Sequence, residues 1–466
     1  MLKLQNKIPS ALTIGGKIVE RIKMRNEVVW EKVQLDYFYI ENIYEGTNII
    51  SLGDNQVVSN PFSNLQYSFD KVNWTSFTTS TTALDISLNQ GEKLYIRGDA
   101  NLGCVRLKIS GSNRHNVGGN INTLINYNSP NNVVLYLSAF ESLFKDDIKL
   151  KSASNLILPA TTLAPNCYSS MFNGCTGLTI APELPATTLE SYCYSSMFSS
   201  CISLTTAPSL IATTLANNCY QSMFYNCDNL TTTPELPATT LAPNCYNSMF
   251  NGCTSLTTAP ALPATTLVNN CYKSMFFGCT SLTSIHSLPA TTLADYCYDS
   301  MFRGCTSLTS APSLPATTLK QYCYQNMFYD CSSLTSAPEL PATTLADYCY
   351  QYMFFGCSKL TVSPELPATT LKHSCYRGMF QDCTSLTSAP ELPATKLGKY
   401  SYNNMFRNCT SLNYITVYAD DISATKCTTN WLYNVASTGT FNNYGSATYP
   451  TNSPSGIPTG WTEVKN

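Results

Sequence analysis

A repeat of 26 residues fills more than half of this chain and limits its fold more than any other feature. Ten copies follow one another without insertion from Leu158 to Val417. Each copy reads Leu-Pro-Ala-Thr-Thr-Leu, three variable residues, and Cys-Tyr-x-x-Met-Phe-x-Gly-Cys-Thr-Ser-Leu-Thr-x-Ala-Pro-x, with one methionine in strict register from Met171 to Met405. A fixed period of this size predicts a solenoid in which each unit forms one coil and packs on its neighbours.

The second half of each unit predicts a helix. In the second copy Cys193, Met197 and Cys201 recur at intervals of four, which places them on one face of a two-turn helix. The residue before the second cysteine is Gly, Asn, Asp or Ser in every copy, and Gly and Asn favour the left-handed conformation at which helices end. The arm Leu204–Leu210 alternates like a short strand that proline interrupts. The prediction is an α/β solenoid of ten 26-residue coils, each with a short strand plus a helix.

The cysteines of the chain follow the same register. Most of the 21 occupy two positions of the unit, from Cys167 to Cys375 and from Cys175 to Cys409. Two residues eight apart on a helix are separated by about 12 Å, whereas a disulfide needs Cα atoms within about 7 Å. We therefore expect free thiols that fill a narrow core. Zinc and other cofactors are not expected, because no Cys-x-x-Cys pair occurs and the three histidines are scattered.

The sequence on either side of the repeats divides into further segments. Short alternating runs separated by turn residues predict an antiparallel β-sandwich before the solenoid. Trp431, in a segment that predicts a closing helix, is expected to cover the exposed end of the core. The predicted segments are a β-hairpin attachment segment (residues 1–35), an all-β sandwich domain (36–113), a linker with an N-terminal capping coil (114–157), the solenoid (158–417) and a C-terminal cap (418–466).

Composition excludes several classes of function. The net charge is −2 and only 12% of the residues are charged, so we expect no nucleic-acid partner. No apolar run approaches the roughly 20 residues that span a bilayer, and the N-terminus does not resemble a secretory signal. We find no phosphate-binding loop, metal-spaced cluster or nucleophile–base pair, and therefore name no catalytic residue. The chain is predicted not to be an enzyme.

Aromatic residues at variable positions of the repeat are the candidate ligand-binding residues. Variation within a rigid repeat marks positions that face solvent, and exposed aromatic clusters suit a protein or glycan contact surface. The alternative is that these rings vary without a role, or only cover neighbouring coils. The candidates, all in coils 6 to 8, are Tyr296, Tyr322, Tyr348, Tyr329, Tyr352 and Phe355.

Three glutamates form the one regular column of carboxylates. Glu339, Glu365 and Glu391 occupy the same position in three successive coils. Neighbouring coils on a strand face lie about 4.8 Å apart, so the three charges repel one another. A divalent cation would relieve this repulsion, and so would side chains that splay outward into water. The column is therefore a weak candidate for a metal site.

The repeat motif resembles a known family. Met-Phe-x-Gly-Cys-Thr-Ser-Leu-Thr followed by a short strand is similar to the BspA-type (Treponema-type) leucine-rich repeat across residues 158–417, although Cys-Tyr-x-x-Met-Phe makes the unit longer. Residues 1–33 are similar to N-terminal segments of tail and adhesion proteins of Bacteroides-type phages and prophages. The segment around 419–424 and 456–461 resembles a closing module of such proteins. The resemblance implies an α/β leucine-rich-repeat solenoid that attaches to surface proteins or glycans, with no family catalytic residue.

Two functions remain open at this stage. The favoured one is a phage virion protein of tail or fibre type, made in the host cytoplasm, which contacts other virion proteins through residues 1–110 and a host protein or glycan through the solenoid. Free thiols suit assembly in a reducing compartment. The alternative is an adhesin on a bacterial cell surface. A glycan-cleaving enzyme has little support without paired carboxylates. Self-association into a homo-oligomer is left open.

Overall fold

The computed structural model describes residues 12–14, 17–19, 21–24, 27–31, 36–54, 64–78, 83–99 and 107–465. Its first four strands form two antiparallel hairpins within the predicted attachment segment. These strands are β1 (Leu12–Ile14), β2 (Lys17–Val19), β3 (Arg21–Met24) and β4 (Glu27–Glu31).

Two sheets follow the hairpins and form the β domain. Their strands are β5 (Tyr39–Asn42), β6 (Asn48–Gly53), β7 (Leu65–Ser68), β8 (Thr75–Phe77), β9 (Leu84–Leu88), β10 (Lys93–Arg97), β11 (Lys108–Gly111), β12 (His115–Asn120) and β13 (Leu150–Ile157). The larger sheet has the order β13-β12-β5-β10-β7-β8 and the smaller one β11-β6-β9. Alternate side chains are buried in both sheets, for example Ile50 and Leu52 in β6 and Leu94 and Ile96 in β10. This alternation gives each sheet one apolar face that packs into the shared core.

The segment predicted as a linker and capping coil, residues 114–157, contributes to the larger sheet. It supplies β12 and β13, which pair in parallel, and two short 3₁₀ helices at Ile121–Leu124 and Pro130–Asn132. Strand β13 also joins the solenoid, because Ser152 bridges Ile180 of the first coil. The predicted domain boundary at residue 113 therefore omits two strands, one of which is shared with the solenoid.

The predicted helix of each coil is wrong: no α-helix occurs in the described residues, and the segment is a series of turns. Its N–H groups alternate between two kinds of acceptor. In coil 6 the N–H of Met301 donates to the carbonyl of Tyr298 in the same coil (3.2 Å). The N–H of Tyr298 itself donates to the carbonyl of Cys323 in the next coil (3.0 Å). This alternation recurs through the ten coils, so half of these donors tie each coil to its neighbour.

Every fourth residue of the turn segment is left-handed. In coil 6 the φ angles are 57° at Tyr296, 57° at Ser300 and 74° at Gly304. The residue before the second cysteine was predicted to be left-handed, and it is so in all ten coils, but it does not end a helix. Because the chain changes direction at every fourth residue, two side chains point into the core and the next two point outward, and this pattern repeats along the segment. Cys-Tyr, Met-Phe and the second cysteine therefore all face the core.

The spacing of the coils explains why the segment is not helical. Ring centroids of equivalent core phenylalanines lie 5.4 to 5.7 Å apart in successive coils. An α-helix with its side chains is about 10 Å across, so ten helices cannot stack at this distance. The turn segment satisfies the same backbone groups by bonding between coils.

The predicted short strands are reduced to single bridges in the ten coils. Thr206 bridges Thr232, and Thr214 bridges Thr240, both in parallel. Proline lacks the N–H that a ladder requires, and the unit carries it between these two bridging positions. Among the ten coils a continuous strand forms only in the last unit, which carries no proline between its bridging positions, at β14 (Tyr414–Val417).

The C-terminal cap continues the stack. Strand β14 pairs in parallel with β15 (Gly439–Asn443), and β15 with β16 (Trp461–Lys465). The closing helix predicted around Trp431 is also a turn segment. Trp431 is fully buried and stacks 6.0 Å from Tyr402, the last ring of the core tyrosine column. It covers that column as the sequence predicts.

The cysteine columns lie inside the core. All cysteines from Cys167 to Cys427 are free and buried, and Cys104 lies outside the described residues. The thiol of the second cysteine donates to a phenylalanine carbonyl in the preceding coil, as Cys201 does to Phe172 at 3.2 Å. Burial raises the pKa of the Cys193 thiol from 9.0 to about 12. Removing these thiols from water thus suppresses the reactive thiolate.

We expect the thiols of the ten coils to be unreactive in the native protein at pH 8. Ellman's reagent attacks through the thiolate, which burial disfavours and which the reagent cannot reach. The same thiols should react fully in urea. Alkylation followed by peptide mass mapping separates them from Cys104, and fast native labelling within residues 167–409 would contradict the buried columns.

Candidate functional site

The variable residues of the turn segments form one outward surface, here called the outer turn face. Because the segment repeats every four residues, this face consists of three columns that run along the solenoid. The first holds the residue before the first cysteine, the second the two residues between Tyr and Met, and the third the two residues that follow Phe. The candidate residues Tyr296, Tyr322 and Tyr348 lie in the first column, Tyr352 in the second, and Tyr329 and Phe355 in the third.

Tyr296, Tyr322 and Tyr348 form a continuous stack, here called the tyrosine ladder. Ring centroids are 4.4 Å apart between the first two and 4.6 Å between the last two, with planes within 8° of parallel. All three rings are half-buried. Desolvation by the neighbouring rings raises the pKa of Tyr322 and of Tyr348. The three residues predicted as a cluster are therefore in direct contact.

Cationic and imidazole groups lie at both ends of the ladder. The ammonium nitrogen of Lys273 lies 4.9 Å from the ring centroid of Tyr296. At the other end His373 meets Tyr348 edge-on, with centroids 4.8 Å apart, and Tyr400 lies 5.7 Å beyond it. The arrangement thus extends over six coils, from coil 5 to coil 10.

The third column carries a second aromatic stack. The rings of Tyr329 and Phe355 are 4.3 Å apart and nearly parallel. The guanidinium of Arg303 lies 4.1 Å from the ring of Tyr329, which suits a cation–π contact. Tyr352 meets Phe355 edge-on at 6.0 Å. These four side chains pack against one another and do not extend separately into solvent.

Tyr352 fits a gap that the next coil provides. A Cβ atom on Gly378 would lie 2.2 Å from Cε1 of Tyr352, so the ring occupies the space above this glycine. The other nine coils carry Ser, Asn or Tyr at this position. The Arg377 guanidinium next to the glycine lies 5.8 Å from the rings of both Tyr352 and Tyr400, and so connects the second column to the first.

Polar side chains fill the column between the two aromatic stacks. Lys273 pairs with the nearly buried carboxylate of Asp299 at 3.1 Å. The amide nitrogen of Gln325 donates to the amide oxygen of Gln351 at 3.1 Å. These bonds fix the side chains between the stacks, so the surface of coils 5 to 9 is organised before any partner binds.

This geometry changes what the tyrosines can do. A ligand cannot stack between the rings of the ladder, because the facing sides of these rings are occupied by one another. Ring edges, hydroxyl groups and the surrounding cations remain available. Such a strip suits a broad contact with another macromolecule rather than the enclosure of one small molecule.

The glutamate column does not converge. Glu339, Glu365 and Glu391 are all exposed. Within the described ranges no group of three or more His, Cys, Asp or Glu residues could hold a metal ion. Nor does the described part of the chain contain a helix long and apolar enough to cross a membrane.

The sequence pointed to the aromatic residues but not to the groups between and around them. Lys273, Arg303, Arg377 and Gln351 were not singled out, because each occurs at a position where the ten units share no residue type. A usable signal was nevertheless present. Within the three columns of coils 5 to 9, each positively charged residue (Lys273, Arg303 and Arg377) falls one unit before or after an aromatic residue in the same or a neighbouring column.

The match to a family model agrees with the repeat architecture. The family model described as "BspA type Leucine rich repeat region (6 copies)" matches residues 141–260, 166–309, 217–361 and 322–441. A solved structure, "Crystal structure of TLR13-ssRNA13 complex", is 14% identical with a TM-score of 0.27, over 72% of this chain and 48% of that one. This chain therefore spans about half the length of that structure. No curated protein is similar enough in sequence to count as a match.

The family match covers the solenoid and continues beyond both of its ends. It extends from the capping coil at residue 141 into the C-terminal cap at residue 441, which is well over half of the chain. Repeats of this type are consistent with a protein that binds surfaces. The chain belongs to the BspA-type leucine-rich-repeat family.

Proposed function

We propose that this chain is a non-enzymatic binding protein that docks on a host-cell surface protein through the outer turn face of coils 5 to 9. The single observation that carries the proposal is the pair of preorganised aromatic stacks with cations between and around them. Tyr, Phe and Arg are the residues enriched in the energetic centres of protein interfaces. Rings already stacked in the free protein lose little conformational entropy on binding.

The stability of the fold does not account for the tyrosine ladder. A left-handed conformation costs an L-residue other than Gly, Asn or Asp roughly 1–2 kcal/mol, and all three tyrosines adopt it. An aromatic pair contributes about 0.5–1.5 kcal/mol beyond the area it buries. The two effects are similar in size, so the ladder adds little net stability. Four other coils carry Asn at this position, which tolerates the conformation better.

A triple variant tests the docking face. Replacing Tyr296, Tyr322 and Tyr348 together by Asn should leave the melting temperature within a few degrees of the parent, because lost stacking is offset by relieved backbone strain. Attachment of the labelled protein to Bacteroides-type host cells should fall at least about tenfold, since three anchors are removed.

The control for this variant is Tyr192→Asn, at the same repeat position but four coils away from the ladder. It should bind as the parent does. Pretreating the cells with protease should abolish parent binding if the receptor is a protein. Parent-like attachment of the triple variant would place the recognition surface elsewhere, and protease-resistant attachment would favour a glycan receptor.

The proposal extends to the protein's location. It is a phage virion component of tail or fibre type, made in the host cytoplasm, with residues 1–110 contacting other virion proteins and the solenoid facing the host. The motif resemblance of residues 1–33 noted in the sequence, and the absence of disulfides among the described cysteines, are what motivate this placement. Several copies on one particle would raise avidity without any stronger single contact.

The alternative is a bacterial cell-surface adhesin, which the BspA-type repeats favour. The two differ in where the protein is found. Antibody raised against the solenoid should label purified phage particles in the first case and intact bacterial cells in the second. Labelling of cells that carry no phage, with none on particles, would overturn the virion placement while leaving the docking face untouched.

A further inference from the structure

A cavity of about 790 Å³ lies where the larger sheet of the β domain meets the first coils of the solenoid. We propose that this cavity, here called the junction cavity, binds a neutral oligosaccharide. Its volume falls within the roughly 300–1,000 Å³ typical of small-ligand sites. It lies on other elements than the outer turn face of coils 5 to 9, and the proposal does not depend on the docking function of that face.

Two tyrosines form one side of the junction cavity. Tyr39 on β5 and Tyr95 on β10 are register partners and point away from the domain core. On the opposite side of Tyr39 the register partner is Gly118 of β12. A Cβ atom on Gly118 would lie 2.4 Å from both Cζ and the hydroxyl of Tyr39, so the ring lies across the glycine. Three adjacent strands thus carry an aromatic surface of the kind that packs against the C–H face of a sugar ring.

Charged groups line the same cavity and are balanced in sign. The ammonium groups of Lys93 and Lys71 lie 4.1 Å and 4.6 Å from the ring centroids of Tyr39 and Tyr95. The carboxylates of Asp36 and Glu183 also line the cavity. Two cations and two anions give no preference for a charged ligand. They do supply donors and acceptors for hydroxyl groups, since ammonium donates three hydrogen bonds and carboxylate accepts several.

The two lysines can donate hydrogen bonds to a bound sugar and at the same time leave the tyrosine rings free to contact it. Each sits on a long flexible stem at a solvent-accessible site, where a cation–π contact is weak. An ammonium group can therefore move from a ring face to a sugar hydroxyl at little cost. The two half-buried rings then contact the apolar face of the sugar, as aromatic residues in ligand sites commonly do.

The opposite wall comes from the solenoid and adds a further apolar contact. It includes the end of β13, the start of the first coil and Pro185 of the second. Ile157 in this wall is 45% exposed, which leaves an apolar side chain available to a ligand. A sugar ring has an apolar face and a rim of hydroxyl groups. The mixture of tyrosine, isoleucine and balanced charges matches both.

The two walls are held in a fixed relation by one strand. Strand β13 pairs with β12 in the sheet. On its other edge β13 contacts the first coil directly, because the N–H of Ala153 donates to the carbonyl of Ile180 at 3.0 Å. A site fixed in this way needs little rearrangement to bind, which favours affinity for a small ligand.

The test begins with the full-length protein on a printed array of neutral di- to tetrasaccharides of glucose, galactose, mannose and N-acetylglucosamine, with sialylated and sulfated glycans alongside. The best neutral glycan is then titrated by calorimetry. Tyr39→Ala and Tyr95→Ala should each weaken binding about tenfold or more. Tyr136→Ala, which removes a 55% exposed tyrosine outside the cavity, should leave the affinity unchanged.

A second variant distinguishes a loss of ligand contacts from a loss of the fold. Asp36 and Glu183 are exposed, so the double change to alanine should fold normally and still weaken binding by about tenfold. The triple Asn variant of the tyrosine ladder should bind the glycan like the parent, which separates this site from the docking face. Retention of only acidic glycans, of no glycan, or of a neutral glycan insensitive to all cavity variants would overturn the proposal.

Discussion

Raising the pH from 8 to 10.5 is expected to unfold this protein, with a fall in the thermal midpoint on the order of 10 °C per pH unit above pH 9. The cause is the buried cysteine columns. Burial raises the thiol pKa from 9.0 to about 12 for five residues, Cys193, Cys245, Cys253, Cys297 and Cys349. The other cysteines of the ten coils shift in the same direction.

The sign of the effect follows from proton binding in the two states. Between pH 9 and pH 12 an unfolded thiol has lost its proton while the folded one keeps it, so the folded state binds more protons and stability falls as pH rises. Below pH 9 both states are protonated and the stability is fully retained. Each thiol costs about 1.4 kcal/mol per pH unit, so the five together cost about 7 kcal/mol per unit. Domains are usually stable by only about 5–15 kcal/mol.

Differential scanning calorimetry at pH 6, 7, 8, 9, 10 and 10.5 checks this expectation. The midpoint should be nearly flat up to pH 8 and then decline steeply. Replacing the five cysteines by alanine serves as the control: the midpoint at pH 7 falls because small cavities are created, but the decline above pH 9 becomes shallower. An equal slope in parent and variant would mean that these thiols do not drive the alkaline loss.

The solenoid was predictable from its period, but the path of the chain within a coil was not. Spacings of four residues suggested an α-helix, whose true period is 3.6. Cys-Tyr, Met-Phe and the second cysteine recur at intervals of four without drift, which fits a turn of four residues better. A second signal lay in the left-handed positions of coil 6, Tyr296, Ser300 and Gly304. Across the coils the last two of these positions are dominated by Ser, Gly, Asn and Asp, and the first carries Asn or Ser in half of the coils and Tyr in the other half.

The sequence of one repeat does not indicate the turn conformation, because that conformation depends on hydrogen bonds between neighbouring repeats. The hydrogen bond from the N–H of Tyr298 to Cys323 exists only when the next coil is present. An isolated unit would satisfy its backbone best as a helix, and local propensity therefore favours one. Stacking at less than 6 Å removes that option. Tertiary context overrides the local preference.

Only the contacts that run along the solenoid, from one coil to the next, were predictable from the sequence. Equivalent positions in successive coils must lie side by side, so contact among Tyr296, Tyr322 and Tyr348 follows from the period alone. The junction cavity could not be predicted in this way. Tyr39, Tyr95 and Ile157 meet through strand order, and the participation of β13 in the sheet is a long-range pairing that no local pattern indicates.

Removing the carboxylate of Asp147 is expected to cost about 3–5 kcal/mol of stability, because it leaves the buried imidazole of His115 without its partner. Oδ2 of Asp147 lies 2.9 Å from Nε2 of His115, and both side chains are almost completely inaccessible. Nδ1 of His115 lies 2.9 Å from the carbonyl of Asn113. The informative substitution is Asp147→Cys, since cysteine occupies the equivalent position in all ten following coils.

A double variant separates the loss of the His115–Asp147 contact from the effect of introducing the cysteine that the other coils carry. If the loss arises from an unpaired imidazole, adding His115→Leu to Asp147→Cys should recover most of the stability, because replacing both buried partners by apolar groups is often close to neutral. Lys396→Ala breaks a solvent-exposed pair with Asp421 and should cost no more than about 1 kcal/mol. Urea denaturation of the four proteins measures these differences. If Asp147→Cys were as stable as the parent, His115 would not need its partner, and the pair would not hold the β domain to the capping coil.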